Sequence, residues 1–298
     1  MVETIRRTVQ TVKSARQQIR NASEDVVRSI SQRGRRTHIT NQKEFRIVGL
    51  RRSGNHAIIN WILSQEIGNI CWLNDLRMQK NPFYWKYHAL LGYHPQYQEK
   101  TDRLKKDLRG EFTPKDCLAY SYEDYDLTEV VSNRFISRHD LYFGKSKEQY
   151  DILILRDPFN LMASRLKSGK VSVKSKGKTA TDLWVAYAKE FSGETQFLEN
   201  TKVCISYNHW FSDPAYRQVI AQKLKLNFSD AGMNEVATQG GGSSFDGQHL
   251  NGKAAAMDVL NRWKQFADDP AFQAALSEEA RFYSKQIFGD FQGAVMKP

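Results

Sequence analysis

Short apolar runs that alternate with helical periodicity constrain this chain to a layered α/β fold. Each run is five or six residues long and is followed by residues whose apolar positions recur every three or four places. Runs of this kind are typical of strands buried in a parallel sheet. The sequence therefore predicts a central parallel sheet with helices on both faces. The predicted strands cover residues 45–50, 118–122, 151–155 and 203–207.

The segments that follow these strands are predicted to be helical. Their apolar residues follow the period of a helix that packs on a sheet. Pro158, with Asp157 before it, has the sequence of a helix start. The predicted helices cover residues 57–63, 158–167, 181–199, 213–224, 253–267 and 271–287.

A basic amphipathic segment precedes the first strand. Residues 3–31 carry apolar side chains at intervals of three, four and seven, with Arg on the other faces, which predicts a long helix. Gly34 and the charged residues around it indicate a linker, so we divide the chain into an arm at 1–40 and a domain at 41–298. The arm is either a solvated or self-associating helix, or it docks on an anionic membrane surface through residues 1–36.

The net charge of +11 over 298 residues is unevenly distributed. Residues 1–38 hold nine Lys or Arg and three Asp or Glu, so the domain itself is only mildly basic. This distribution suits a protein that holds a small polyanion at one site. A protein that binds nucleic acid needs a continuous basic face, so we expect no nucleic-acid partner.

The sequence lacks a membrane-spanning run and closely spaced cysteines, which limits the expected cellular location and the expected metal sites. No run reaches the roughly 18 apolar residues that span a bilayer, and the first residues lack the apolar core of a secretory signal. We therefore expect a cytoplasmic protein that is peripheral to a membrane at most. The three cysteines are far apart, which excludes a disulfide framework and a Cys-x-x-Cys metal site.

Residues 49–56, Gly-Leu-Arg-Arg-Ser-Gly-Asn-His, join the first strand to its helix. A turn of small residues at a helix start presents backbone N–H groups that bind phosphate oxygens, and Arg51 and Arg52 add positive charge. The Gly-Lys-Ser/Thr ending of a Walker A loop is absent, and with it the hydroxyl that binds magnesium in a kinase. The segment predicts either a phosphate cradle or a basic turn without a ligand.

Residues 152–165 place Arg156 at the end of an aliphatic strand and Ser164 eight residues later. Ligands of parallel α/β sheets bind at these strand ends. Because Ser164 falls two turns into the following helix, its hydroxyl can lie on the same side as Arg156. A guanidinium and a hydroxyl directed at one point form a site for a phosphate monoester.

Together the two segments resemble the motifs of the PAPS-dependent sulfotransferase superfamily, PAPS being 3′-phosphoadenosine 5′-phosphosulfate. Residues 50–57 are similar to the family's Tyr-Pro-Lys-Ser-Gly-Thr-Thr-Trp motif. Residues 156–164 are similar to its Arg-Asn/Asp-Pro motif, which has a Ser eight residues after the Arg. The resemblance covers roughly residues 45–290. It implies a P-loop nucleotide-kinase-like sulfotransferase fold, with PAPS as co-substrate and no metal.

The resemblance also implies a nucleotide-binding role for the matching residues. The first motif holds the 5′-phosphosulfate in the family and the second holds the 3′-phosphate. Tyr207 resembles the tyrosine beside the adenine, and residues 240–247 take the place of a loop that closes over the nucleotide. The residues implied are Arg51, Arg52, Ser53, Gly54, Asn55, His56, Arg156, Ser164, Tyr207, Gly242, Ser243, Ser244 and Phe245.

Two positions depart from the family's first motif. Arg52 stands in the place of a lysine, and we expect it to act in catalysis by electrostatic stabilisation of the bridging oxygen. Ala57 stands in the place of the aromatic residue that packs on adenine. Tyr207, Trp210 or Phe245 must supply that ring.

The general base has two candidates. Glu123, after the strand at 118–122, resembles the strand-end glutamate of the glycan-modifying branch of the family. His139 resembles the histidine of the Lys-Thr-His motif in the small-molecule branch. The sequence leaves both open.

The acceptor is expected to be a glycan or another small molecule with a hydroxyl or an amine. Residues 72–110 are rich in aromatic and histidine side chains, which either cover the sheet or bind such a molecule. The basic stretch 167–178 is expected to form a mobile loop, which either steers an acidic acceptor or is simply solvated. No His, Asp or Glu cluster has metal-ligand spacing.

Two other functions are compatible with the sequence. One is a P-loop kinase-like phosphotransferase, which the missing Gly-Lys-Ser/Thr ending disfavours. The other is a non-catalytic member of the fold that binds a nucleotide or a membrane.

Overall fold

A sheet of parallel strands forms the centre of the structure. The computed structural model describes residues 2–34, 38–91, 97–236 and 242–290, and within these ranges the sheet has five strands. They are β1 (Ile39–Gly49), β2 (Ile70–Leu73), β3 (Lys115–Glu123), β4 (Lys145–Leu155) and β5 (Thr201–Ser206). Their order across the sheet is β2-β3-β1-β4-β5, and every neighbouring pair is parallel.

Helices connect the strands and follow the last one. The described residues form α1 (Val2–Ser31), α2 (Asn55–Leu63), α3 (Tyr84–Leu91), α4 (Gln98–Arg109), α5 (Leu127–Val131), α6 (Arg134–Ser137), α7 (His139–Tyr142), α8 (Pro158–Lys167), α9 (Ala180–Ser192), α10 (Tyr207–Ser212), α11 (Pro214–Lys223), α12 (Pro270–Ala274) and α13 (Glu278–Phe288). Two 3₁₀ helices lie at Ala254–Ala256 and Arg262–Phe266.

Alternating strand residues contribute to two hydrophobic cores, one on each face of the sheet. On β4, Ile152 and Ile154 pack with α2 and α11, whereas Leu153 and Leu155 pack with α8 and α9. All four side chains are fully buried. The prediction of a parallel α/β sheet with helices on both faces is therefore confirmed.

The connections open a crevice between β1 and β4. The chain leaves β1 through α2 on one face towards β2, and it leaves β4 through α8 and α9 on the other face towards β5. Because they run in opposite directions on opposite faces, the two connections have the same hand, and parallel crossovers are almost always right-handed. Where adjacent strands connect in opposite directions, their carboxyl ends leave space for a ligand. The segments after β1 and β4 therefore meet at this crevice.

The segment 253–267 does not form the helix predicted from its periodicity. Only the two short 3₁₀ helices form there, because buried side chains bind its backbone. Arg156 donates to the carbonyl of Val259, and Asn160 Nδ2 donates to the carbonyl of Leu260 at 2.9 Å. Tertiary hydrogen bonds override the local helical period here.

Two other predicted helices end early. α9 stops at Ser192 instead of residue 199 because Gly193 takes the left-handed conformation, with φ 82°. The predicted helix at 271–287 is divided into α12 and α13. Ser277 begins the second helix by accepting from the N–H of Ala280 at 3.2 Å.

Helix α1 spans Val2–Ser31, close to its predicted range. Its last turns contact the domain: Arg28 donates to the carbonyls of Leu108 and Leu141, and Gln32 donates to the carbonyl of Gly110 at 3.2 Å. The predicted linker after it falls partly on residues 35–37, which lie outside the described residues. In the described part of the chain, no helix has the length and apolar character needed to cross a bilayer.

A buried ion pair joins β1 to β4. Arg46 donates from Nε and Nη2 to the two carboxylate oxygens of Asp151, at 2.7 and 2.8 Å, and both residues are buried. Asp151 also accepts from the N–H and the Nδ2 of Asn200, just before β5, at 3.0 and 3.1 Å. Two-point geometry and further hydrogen bonds are what a buried ion pair needs to offset its loss of hydration.

The variant Arg46→Met should lower the free energy of unfolding by about 3 to 5 kcal/mol, because it leaves the Asp151 charge buried without a cation. Urea denaturation measures this loss. The double variant Arg46→Met/Asp151→Asn removes both charges and should recover most of it. If the double variant is no more stable than Arg46→Met, the loss of stability does not come from the unpaired charge of Asp151.

Candidate active site at the carboxyl edge of the sheet

A cavity of about 360 Å³ lies in the crevice between β1 and β4. Its wall is formed by the residues at the carboxyl ends of the five strands and by residues of the segment 242–262. A cavity of this size is typical of a small-ligand site. The two motif segments, which are 100 residues apart in sequence, meet here.

The turn after β1 exposes the start of α2 to the cavity. Gly54 precedes α2 with φ 82°, a left-handed conformation that suits glycine, and no side chain caps the helix. A Cβ at Gly54 would lie 2.1 Å from the Tyr207 ring, so this ring packs directly on the turn. The first N–H groups of a helix have no partner within it, and this helix end is electrically positive. Since Asn55 and His56 line the cavity, the start of α2 can bind an anion there.

A second buried ion pair fixes the path of this turn. Asp124, just after β3, pairs with Arg165 of α8 at 2.8 and 3.2 Å, and both side chains are at most 1% exposed. Asp124 also accepts from the N–H of Arg51 at 2.9 Å, and Arg165 donates to the carbonyl of Arg51 at 3.1 Å. Both backbone groups of Arg51 are therefore held by one ion pair, which the sequence analysis did not identify.

Backbone strain is concentrated at the same edge. Among the described residues other than glycine, φ is positive at Arg52 (73°), Asp75 (49°), Asp124 (60°) and Lys225 (51°). The first three follow β1, β2 and β3 at the cavity. Strain of this kind persists only where the surrounding structure enforces it, and it is common at functional sites.

Four guanidinium groups line the cavity: those of Arg51, Arg52, Arg156 and Arg262. Arg262 pairs with Asp246 at 2.7 Å, whereas the hydrogen bonds of Arg52 and Arg156 within the described residues go to hydroxyl and carbonyl oxygens. Burial, reinforced by the charges of the neighbouring arginines, lowers the pKa of Arg52 and of Arg156. The cavity lining thus has five Lys or Arg side chains against the carboxylates of Asp75, Glu123 and Glu235, a net positive charge that favours an anionic ligand.

The predicted pair of Arg156 and Ser164 lies in the cavity wall. The Arg156 guanidinium donates to the carbonyl of Arg52 at 3.2 Å and lies over the Tyr207 ring, 4.9 Å from its centre. The Ser164 hydroxyl is 3.4 Å from Arg52 Nε and 2.5 Å from the Ser244 hydroxyl. Arg52 therefore connects the two motifs.

Three residues of the cavity wall carry a buried polar atom without a hydrogen-bond partner. These atoms are Asn55 Oδ1, Arg156 Nε and Trp210 Nε1. Buried polar groups in proteins are nearly always satisfied, so these three atoms are exceptions at the cavity wall.

Glu123 ends β3 and lies in the cavity wall, 6% exposed. Its Oε1 accepts from Asn55 Nδ2 at 2.9 Å, and its Oε2 is 3.9 Å from Arg51 Nε. Burial raises the pKa of Glu123, although His56 and the hydrogen bond from Asn55 oppose the shift. A buried carboxylate with a raised pKa is suited to accept a proton near neutral pH.

Sequence reasoning missed Asp75, which lines the cavity after β2. Asp75 accepts from Arg51 Nη2 at 3.0 Å and forms an ion pair with Lys174. β2 has only four residues, and its short apolar run resembles many other segments of the chain. The available signal was an acidic residue two positions after that run.

Lys174 belongs to the basic stretch 167–178, which was expected to form a loop without fixed contacts. Its N–H donates to the carbonyl of Asp124 at 2.9 Å, and the Ser175 hydroxyl accepts from the N–H of Asp126 at 2.7 Å. This part of the stretch is therefore fixed to the edge of the site.

The structure does not bring His139 to the cavity. His139 Nε2 lies 2.8 and 2.9 Å from the carboxylate oxygens of Glu44, five residues before β1 ends at Gly49. Burial alone would lower the pKa of His139, but the Glu44 carboxylate raises it to about 9. Of the two candidate bases, Glu123 lines the cavity and His139 does not.

The other predicted site residues fall into two groups. Arg51, Gly242, Ser243 and Tyr207 line the cavity, as do Arg52, Gly54, Asn55, His56, Arg156 and Ser164. Ser244 is not among the lining residues and contacts Ser164. Ser53 is fully buried behind the turn, and Phe245 packs at 6.4 Å on Phe266 and at 4.8 Å under Arg262, away from the cavity lining. Residues 240–241 of the predicted glycine-rich loop lie outside the described residues.

The aromatic segment 72–110 contributes little to the cavity. Among its described residues, only Asn74 and Asp75 line it, and Phe83 is fully buried in a core. Tyr93 and His94 lie outside the described residues. Within the described ranges, no group of three or more His, Cys, Asp or Glu side chains could hold a metal ion.

The variant Gly54→Ala should lose much more stability than Gly193→Ala. Both glycines have φ 82°, but nothing lies within 4 Å of a Cβ at Gly193, whereas a Cβ at Gly54 meets the Tyr207 ring. The control should lose about 1 to 2 kcal/mol from backbone strain alone. Thermal denaturation measures the stability of both variants. Equal losses would mean that contact with the Tyr207 ring does not add to the loss of stability in Gly54→Ala.

Comparison with known proteins yields structural matches alone. No protein-family model matches the chain, and no curated protein matches it in sequence. The sulfotransferase domain of the Synechococcus PCC 7002 olefin synthase matches 86% of this chain and 98% of its own, with a TM-score of 0.52 at 14% identity. Mouse sulfotransferase SULT7A1 complexed with PAP matches 82% of this chain and 88% of its own, with a TM-score of 0.39 at 12% identity. On the first of these matches, the chain has the α/β fold of a sulfotransferase domain.

Proposed function

We propose that this protein is a sulfotransferase that moves the sulfuryl group of PAPS to a hydroxyl or an amine of a glycan or other small molecule. The observation that carries this proposal is the net positive charge of the cavity lining, in which Arg52 and Arg156 lie at the ends of β1 and β4. A nucleotide with phosphate groups at two positions would neutralise that charge. The fold shared with a sulfotransferase domain supports the same assignment.

Two regions of the cavity are suited to the two anionic ends of such a nucleotide. The guanidinium of Arg156 and the hydroxyl of Ser164 would hold the 3′-phosphate. The start of α2, with Arg51 and Arg52, would hold the 5′-phosphosulfate. Tyr207 lies between the two regions, on Gly54 and below Arg156, where its ring can contact the adenosine.

When bound, PAPS supplies an activated sulfuryl group, and its transfer leaves negative charge on a departing phosphate. Arg52 is in the position to stabilise that charge, because it lies at the turn and contacts Ser164 at 3.4 Å. The Asp124–Arg165 ion pair fixes the backbone of Arg51, next to Arg52. The protein therefore needs little reorganisation when negative charge develops on the phosphate.

Glu123 is the group that would take the proton of the acceptor. It lies on the cavity wall beside the start of α2, and the Asn55 amide holds its Oε1 at 2.9 Å. The burial that raises its pKa makes the carboxylate a stronger base than an exposed glutamate. Below that raised pKa the base is protonated, so turnover should fall as the pH is lowered through it.

The variants Arg156→Ala and Ser164→Ala should weaken 3′-phosphoadenosine 5′-phosphate far more than AMP, because only the former carries a 3′-phosphate. Each lost contact to a charged group costs about 1.5 to 3 kcal/mol, or roughly 10 to 150-fold in affinity. Isothermal calorimetry measures both nucleotides. Ser168→Ala, one turn later on the same segment and outside the cavity lining, is the matched control.

Three results would contradict this assignment or the proposed function. Equal losses for both nucleotides would mean that Arg156 and Ser164 do not hold a 3′-phosphate. A wild-type preference for ATP with magnesium would favour the kinase-like phosphotransferase. Binding of the nucleotide without transfer of radiolabelled sulfate to any of a broad panel of acceptors would favour a non-catalytic member of the fold.

The variant Glu123→Gln should lower kcat by roughly 100 to 10,000-fold and leave nucleotide affinity intact, since it removes only the base. His139→Asn is the comparison, and it should keep near-normal kcat because His139 lies away from the cavity. Steady-state kinetics on folded protein measures both. A larger loss in His139→Asn would refute the assignment of the base, and near-normal turnover in both would leave Glu123 without a catalytic role.

A further inference from the structure

Helix α1 docks on the domain with its polar side. Asp25 accepts from Arg134 at 2.6 Å and also contacts Arg138 and Tyr142. Burial alone would raise the pKa of Asp25, but these hydrogen bonds outweigh it and lower the pKa. Asp25 and Arg28 are both less than 9% exposed. The docked face of α1 is therefore held by charged and polar groups.

The large apolar side chains of α1 whose exposure the structure describes point away from the domain. Val12, Ile19, Val26 and Ile30 are 45%, 71%, 58% and 61% exposed. At 3.6 residues per turn they fall within about 40° of one another and roughly opposite Arg28. An amphipathic helix of a globular protein normally buries its apolar stripe against the core. In α1 this arrangement is inverted, so the stripe is available to something outside the chain.

The charge of α1 indicates what covers the stripe. Between residues 6 and 20 the helix has five basic residues and no acidic one. Arg16 and Arg20 are exposed, on the same segment as Val12 and Ile19. Pairing with a second copy of this helix would bring like charges together without carboxylates to balance them. A surface of anionic lipid headgroups would neutralise the arginines and receive the apolar side chains.

We propose that α1 docks the protein on an anionic lipid surface, with Val12, Ile19, Val26 and Ile30 in the boundary between headgroups and acyl chains. The arginines beside this stripe contact the headgroups. The polar face keeps its ion pairs to Arg134 and Arg138, so the domain stays attached to the arm. This binding does not depend on the catalytic assignment.

Co-sedimentation of the full-length protein with vesicles tests the proposal. Vesicles made of equal parts phosphatidylcholine and phosphatidylserine should bind the protein, whereas vesicles of phosphatidylcholine alone should bind it far less. Added salt should weaken the binding, because the headgroup contacts are screened. Failure to bind the anionic vesicles at low salt would overturn the proposal.

Two substitutions locate the binding on α1. Ile19→Glu should weaken the partition coefficient by about tenfold or more, since it places a charge in the apolar stripe. Arg20→Gln should weaken it by about fivefold, the effect of one basic residue near an anionic surface. Ile67→Glu is the matched control, because Ile67 is 78% exposed and lies outside α1. An equal loss of vesicle binding in Ile67→Glu would contradict the assignment of this binding to α1.

A second copy of the chain is the competing occupant of the stripe. Light scattering of the protein without vesicles measures its oligomeric state. A monomer in both wild type and Ile19→Glu agrees with lipid docking. A wild-type dimer that Ile19→Glu converts to monomer would overturn the proposal in favour of helix pairing. Neither substitution should change nucleotide affinity, so a failure here is distinct from a failure of the proposed function.

Discussion

The geometry of the cavity depends on the buried ion pair between Asp124 and Arg165. This pair holds both backbone groups of Arg51, and Arg165 also donates to the carbonyl of Ser172 at 2.9 Å. It therefore connects the end of β3, the turn after β1, helix α8 and the basic stretch that follows. The positive φ angles of Arg52 and Asp124 occur within this network, whose contacts can enforce such strain. A preorganised site of this kind is set before any ligand arrives.

Two buried arginines of this chain, Arg46 and Arg156, have different surroundings. Arg46, within the sheet, has a carboxylate that matches it at two points. Arg156, in the cavity, donates to carbonyl oxygens, lies over an aromatic ring and keeps its Nε without a partner. Among the described residues it forms no ion pair as close as that of Arg46, so an anionic ligand at the cavity would stabilise its charge.

The parts of the structure that the sequence predicted are those with local signals. Strands such as β4 have continuous aliphatic runs, and the turn before α2 and the start of α8 have recognisable residues. The parts it did not predict depend on contacts between distant segments. Arg262 enters the cavity because Arg156 and Asn160 bind the backbone of its segment, and His139 leaves it because Glu44 binds the imidazole. No short window of sequence contains both members of these pairs.

The eleven residues of β1 set a distance between the arm and the cavity. Helix α1 contacts Leu108 and Leu141, which precede β3 and β4, whereas the cavity lies beyond the opposite ends of the strands. At about 3.3 Å per residue, these two edges of the sheet are roughly 35 Å apart. On the proposal that α1 docks on lipid, the attachment of the arm and the proposed base Glu123 lie at opposite edges of the sheet. Membrane docking and group transfer would then use separate surfaces of the domain.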